Sequence, residues 1–331
     1  MKTAACSIVA VAIALTAALA GQTPAKQAKA YTAPRTPWGD PDLQGVWNDA
    51  TSTPLQRPNG TKDVLTDEEA ADFQASLAHE LTRDRRDGGP EADVNRAYND
   101  HWMDARRLKI TADHRTSLIV EPRDGRIPPL VPLSPERQAA RAARAAANAR
   151  FNQGLPDDYT DMSLPVRCII RTDSPPYLPT IYNNDFQIFQ SPGIVAISPE
   201  MIHSARMVYT DGRPHLNGSL HQWLGDSRGR WDGTTLVVET TNFRSDDGVI
   251  FQGANPESFS ITERFTRVDP TSINYEFTVQ DSTTWTKPWT AIIPWTKIDP
   301  GEQMYEYGCH EDNFDIVHFL KGARNRQKNA R

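Results

Sequence analysis

Cysteine, basic excess and long apolar runs are all scarce in this chain, and each scarcity removes a class of protein. There are three cysteines in 331 residues and no C-x-x-C pair among them, so paired-thiolate metal frameworks are excluded. Lys and Arg number 36 against 42 Asp and Glu, a net charge of −6 at pH 7, which is the wrong sign for a general nucleic-acid binder. No apolar run attains the ~20 residues that a membrane-spanning helix needs, so no stable membrane insertion is expected. H-E-x-x-H, the G-x-S-x-G elbow and Gly-rich phosphate loops are missing as well, and no internal repeat is visible.

What is present begins with an export-like N-terminus. Lys2 precedes the apolar stretch Ser7 to Ala20, which ends in Ala18-Leu19-Ala20 before Gly21, the layout of a cleavable secretory signal. The expected organisation is a signal at 1–20, a Pro/Thr/Ala/Lys-rich linker at 21–36, one domain at 37–324 and a tail at 325–331, in a periplasmic or secreted protein. Cleavage would leave Cys168 and Cys309. In an oxidising compartment that pair either closes one long loop or stays as two buried thiols.

Turn and cap chemistry then divides the chain. Thr66 and Glu69 form a capping box before a helix at about 67–85, with Ala70, Phe73, Leu77 and Leu81 at helical spacing. Ser134 and Pro135 open a second helix at about 135–152, rich in Ala and basic through Arg137, Arg141, Arg144 and Arg150. Few large apolar residues face out of it, so it reads as a solvated helix lying on the domain rather than a binder of acidic partners.

From Arg167 to Glu311 short alternating runs separated by turns dominate. FQIFQ-SPG-IVAIS, SRGRW-DGT-TLVVETTNF and SITERFTRV-DPTS-INYEFTV read as hairpins, and HSARMVYT, KPWTAIIPWTKI and MYEYGCHE as further strands. Ile273, Tyr275, Phe277 and Val279 share one face, as do Trp289, Ala291, Ile293 and Trp295. The fold class is therefore mainly β: eight or nine antiparallel strands in an up-and-down barrel or strongly curved sheet, with two or more peripheral helices. A barrel of this size either fills with side chains or holds one small ligand.

Chemistry concentrates between His203 and Phe243, which holds three of the eight histidines. His203, His215 and His310 are candidate acid–base groups, because imidazole titrates near neutral pH; His215 and His310 lead, since both fall at strand ends or loops. Asp226 is the expected acidic partner. Arg206 and Arg213 either clamp an anionic substrate or join turn-stitching ion pairs, whereas Arg228 and Arg230 flank a hairpin and suit ion pairs. Trp223 and Tyr275 are expected in the pocket wall, with Glu263 and Glu311 as further substrate-binding acids. Glu263 shares a face with Ile261 and Phe265; if that face is inward, its carboxylate needs a partner or its pKa rises. No metal and no cofactor is expected, because none of the spacings is a metal signature.

The motifs DGRPH, WLGDSRGRWDG, TLVVETTNF and YEYGCHEDN resemble a family of uncharacterised secreted bacterial proteins over most of the chain from Trp38 to Arg324. That resemblance implies export and a single folded unit, and no catalytic assignment. Gly45-Val46-Trp47 and the strand succession are similar, more loosely, to lipocalins and other calycins, which implies a barrel. The expected function is acid–base catalysis of a lyase, isomerase or hydratase type on a small organic molecule held in a barrel cavity. A non-catalytic carrier of lipocalin type and a metal-dependent hydrolase are the alternatives.

Overall fold

Period-two alternation of apolar side chains becomes paired strand wherever a turn brings the next run alongside, and among the described residues ten strands result: β1 (Gly45–Asn48), β2 (Ile119–Glu121), β3 (Asp185–Ser191), β4 (Ile194–Pro199), β5 (Arg206–Tyr209), β6 (Asp226–Asp232), β7 (Thr235–Thr241), β8 (Ser260–Asp269), β9 (Ser272–Gln280) and β10 (Trp289–Lys297). Among the described residues three longer helices accompany them: α1 (Asp67–Leu81), α2 (Pro135–Asn152) and α3 (Asp315–Asn329). The computed structural model describes residues 31–82, 88–91, 100, 108–171, 174–180, 182–202, 204–245, 250–311 and 313–329. The signal-like segment, most of the linker and His203 lie outside the described residues.

The hairpins fall where the turns require them. β3 and β4 meet at Pro192-Gly193, β6 and β7 at Gly233-Thr234, and β8 and β9 at Pro270-Thr271. Neighbouring strands continue the ladder through β9–β10, and β1 bridges β3 to β10, so nine strands close into a mixed, largely antiparallel barrel. β10 gives its remaining edge to two partners: Thr296 and Lys297 pair with β1, while Thr290 and Ala291 pair with β2. Pro294 sits between those two contacts. The amides of Ile292 and Ile298 point to this edge, donating to Leu118 O and Val46 O, so by the same period the N–H that proline lacks would have pointed into the gap.

One pairing departs from the antiparallel expectation. β5 runs parallel to β6, Val208 opposite Ser227 and Tyr209 opposite Arg228, and parallel neighbours need a crossover rather than a tight turn. The crossover, residues 210–225, travels back along the outside of β6. Gly229 lets β5 and β6 lie close together: a Cβ there would lie 2.8 Å from Val208 Cγ1.

The inner faces are those the alternation indicates, and among the described residues they carry a dense aromatic core. Phe186, Phe265, Tyr275, Phe277, Trp289 and Trp295 are buried and pack on one another, with Phe186 stacked on Trp295 at 4.5 Å and Tyr275 at 5.1 Å from the same indole. Aromatic rings of 150–250 Å² each are large enough to fill a barrel of this strand number.

The helices lie outside. Thr66 and Glu69 make the reciprocal capping bonds that start α1, at 3.2 and 2.9 Å. On α2 the arginines point largely inward and tie the helix down: Arg137 donates to Thr283 O and Gly253 O, Arg144 to Thr160 O, and Arg150 to the Asp161 carboxylate. Half of its exposed residues are alanine, and Arg141 is exposed among the rest. Met304 to Glu311 forms no strand, because closure through β1 leaves no free edge there to join. Cys309 is instead bridged to Cys168, and α3 occupies residues read as the domain's end and tail. Among the described residues no helix is long and apolar enough to cross a membrane.

Candidate functional site

The crossover is held against the barrel by one carboxylate. Asp226, at the start of β6, is almost fully buried although it points outward, because residues 214–217 lie over it. Its Oδ2 accepts from the Leu216 amide at 2.9 Å and lies 2.8 Å from His215 Nδ1, and its Oδ1 lies 2.6 Å from an Arg228 Nη1. A nitrogen that close to a carboxylate oxygen carries a proton, so Nδ1 donates to Asp226. The imidazole is 31 % exposed, and among the described residues nothing bonds to Nε2. Gly225 sets up the return into β6 with φ of 69°; a Cβ there would meet Thr240 Cγ2 at 2.6 Å and Thr241 O at 2.8 Å.

The cluster extends along the barrel wall. Arg228 also donates to Pro214 O and lies over the Tyr209 ring, whose centroid is 4.1 Å from the Arg213 guanidinium. Arg213 in turn chelates Asp211, which keeps the Asp211 carboxyl below its ordinary pKa and raises that of the guanidinium. The expected His215–Asp226 pair with Arg213 near it is thus assembled on the outer surface, through Tyr209 and Arg228. Arg228 makes the ion pair expected of it, with Asp226, and only its bond to Pro214 O depends on the crossover folding back.

Arg206, Glu263 and Tyr275 are somewhere else. Arg206 and Glu263 form a bidentate pair inside the barrel at 2.7 and 3.2 Å, exposed by 2 % and 0 %. Tyr275 Oη donates to Glu263 at 2.8 Å and accepts from the Tyr177 amide at 3.1 Å, while the Arg206 guanidinium lies 5.0 Å over the Tyr177 ring. Burial, reinforced by the Glu263 carboxylate, pushes the Tyr275 phenol well above its ordinary pKa despite the opposing Arg206. These three side chains bond one another away from solvent, with Arg206 Nε left out of the network, and a substrate does not reach them without opening the barrel. Glu263, expected as a substrate-binding acid, is instead the inward carboxylate whose partner is Arg206, an ion pair that holds the sheet together.

His310 and Glu311 are exposed on the turn after the disulfide, and among the described residues neither touches His215 or Asp226. His221 Nδ1 bonds the Phe243 carbonyl at 3.0 Å and so helps fasten the crossover. Among the described residues no group of three or more His, Cys, Asp or Glu is arranged to hold a metal ion.

Trp223 leads to a concavity that the sequence did not indicate. A cavity of about 430 Å³ opens at the barrel end where β7 finishes and β10 begins, lined by Leu164, Pro176, Leu178, Phe251 and other apolar residues, with Arg171, Trp223, Arg244 and Ser245. Its floor is the barrel plug, since Phe251 stacks on Trp289 at 5.9 Å. Arg244 lies 4.5 Å over the Trp223 ring, and its amide bonds Gln222 O. Crossover and cavity therefore meet at Trp223 and Arg244. Arg244 follows directly on TTNF, but only the tertiary fold brings it to Arg171 and the Leu164–Leu178 stretch.

The chain matches no protein-family model, and comparison with curated proteins and with solved structures finds no match.

Proposed function

We propose that this is an exported enzyme of the lyase, isomerase or hydratase kind, using His215 as general base on a small organic molecule. One observation carries the reading: His215 is oriented by a buried carboxylate at Nδ1 and leaves Nε2 open at the surface. A carboxylate held in that position fixes the tautomer and stabilises the imidazolium formed when Nε2 takes a proton. Arg228 supplies a second charged partner to Asp226, at its other oxygen. Export rests on the Ser7 to Ala20 pattern and on the family resemblance, and mass spectrometry of secreted material, finding a start near Gly21, tests it.

The catalytic reading is tested by turnover over a library of hydroxy acids, enols and unsaturated acids, comparing the protein with His215→Ala. Turnover falling by roughly 10² to 10⁴, the usual share of general acid–base catalysis, with the thermal transition unchanged, supports it. Full turnover by the variant rejects it. A second reading, a non-catalytic carrier, is favoured by the barrel-end cavity, whose described lining contains no histidine and no carboxylate.

A further inference from the structure

The crossover carries one of the chain's two Asn-Gly pairs, Asn217-Gly218, and its surroundings prepare a reaction of the chain with itself. Joining an asparagine side-chain carbon to the next main-chain nitrogen closes a five-membered ring. Most residues after asparagine crowd that approach, whereas glycine, with no Cβ, leaves it open. Asn217, Gly218 and Ser219 are all exposed, on the turn that the Leu220 amide closes onto Asn217 O at 2.9 Å.

The turn arranges the reacting atoms. Asn217 Oδ1 accepts from the Ser219 amide and from Ser219 Oγ, both at 2.9 Å. A main-chain amide only donates, which settles that the side chain turns its oxygen toward Ser219 and its Nδ2 away. Two donors on that oxygen draw electron density from Cγ and face the negative charge that grows there when a nucleophile adds, as in an oxyanion hole. Among the described residues the Gly218 N–H donates to no acceptor and Asn217 Nδ2 bonds to nothing. The nucleophile is thus not engaged elsewhere, and the leaving group departs into solvent. At the other pair, Asn59-Gly60, the donor on Oδ1 is the distant Arg126 guanidinium at 2.7 Å rather than the turn itself.

We infer that Asn217 is a self-modification site, converted through a cyclic imide with Gly218 to aspartate and isoaspartate. The Gly218 nitrogen attacks Asn217 Cγ and gives up its proton as the new C–N bond forms, while the Cγ–Nδ2 bond breaks and Nδ2 leaves as ammonia. Water then adds to one imide carbonyl. Opening at Cγ restores the ordinary main chain with an aspartate, and opening at the main-chain carbonyl gives isoaspartate, which routes the backbone through one extra methylene. Either product gains one negative charge, and neither step needs an oxidant or an enzyme. The altered residue directly follows Leu216, whose amide bonds Asp226. Asn242 Nδ2 reaches Leu216 O and Asn217 O at 3.2 and 3.3 Å, and those are the bonds a lengthened backbone disturbs. The conversion therefore falls in the strap that carries His215, and it does not require His215 to be catalytic.

Incubating the folded full chain at neutral pH and physiological temperature, then separating it by anion exchange and mapping its peptides, tests this. The expected result is a growing, more acidic fraction in which Asn217 has become aspartate and isoaspartate, the latter identified by fragmentation and by labelling with an isoaspartyl methyltransferase. Gly218→Ala should slow the conversion about tenfold or more. Nothing lies within 4 Å of a Cβ built at Gly218 and its φ is outside the left-handed region, so the added methyl hinders ring closure without disturbing the fold. Ser219→Ala removes one donor from Oδ1 and should slow the conversion about fivefold, the rate equivalent of one modest hydrogen bond, in the folded chain and not in the chain unfolded by guanidinium. A thermal melt of each variant establishes that it is folded. An Asn217 that stays intact in the folded chain while the unfolded chain converts, aspartate without isoaspartate, or a Gly218→Ala rate equal to the parent's overturns the inference. So does a folded Ser219→Ala that converts as fast as the parent, because the turn then contributes nothing.

Discussion

Removing one partner of the Arg206–Glu263 pair should be among the most damaging single changes in the barrel, and removing both should be far milder. The two side chains are exposed by 2 % and 0 % and are joined by two hydrogen bonds. Arg206→Met strands a carboxylate with Tyr275 Oη as its remaining side-chain partner, and Glu263→Leu strands a guanidinium among aromatic rings. An unpaired buried charge costs roughly 3–5 kcal/mol, against a total stability of about 5–15 kcal/mol for a typical domain. The double variant Arg206→Met/Glu263→Leu leaves no buried charge. Its remaining penalty is the Tyr275 hydroxyl without its acceptor, about 1–3 kcal/mol, offset by added apolar packing. The double-mutant cycle should therefore give a coupling of at least ~3 kcal/mol. Guanidinium unfolding followed by tryptophan fluorescence measures it, with m-values checked for constancy. Single variants each costing under ~1 kcal/mol, or additive effects, would refute the argument that the pair is sealed from water.

Two further expectations concern conditions rather than packing. Reducing the Cys168–Cys309 bridge, which spans a separation of 141 residues, should lower stability by about 2–5 kcal/mol, the upper end being the chain-entropy limit for so long a loop; unfolding curves with and without reductant would show it, and coincident curves would contradict it. Stability should also fall above pH 10, because the Tyr275 phenol is held well above its ordinary value of 10.0. The unfolded chain loses this proton first, so the contribution is complete below pH 10 and is lost as pH rises toward the folded value, at about 1.4 kcal/mol per pH unit. Tyr275→Phe should flatten that slope while being about 1–3 kcal/mol less stable at neutral pH, since the Tyr177 amide loses its acceptor. Parallel pH profiles for the two proteins would argue against it.

Local chemistry alone determined a good part of this molecule. The capping box at Thr66 and Glu69, the Ser134-Pro135 helix start, the three hairpins and the inward faces Ile273 to Val279 and Trp289 to Trp295 all depend on residues close in sequence, so their spacing suffices to read them. The mainly β barrel with outer helices followed from them. Only the tertiary structure decided how the barrel closes, because β1 meets β10 through Trp47 and Lys297, far apart in the chain, and because β2 takes the rest of that edge. It also decided that β5 lies parallel to β6, which sends the crossover back over Asp226 and so joins His215 to a buried carboxylate. Sequence named both residues as candidates, and could equally name Arg206, Glu263 and Tyr275, which the inward pleat of their strands sealed inside instead. The cavity was illegible for the same reason: Arg171, Trp223 and Arg244 converge only when separate loops cover one barrel end, and no local pattern encodes that convergence.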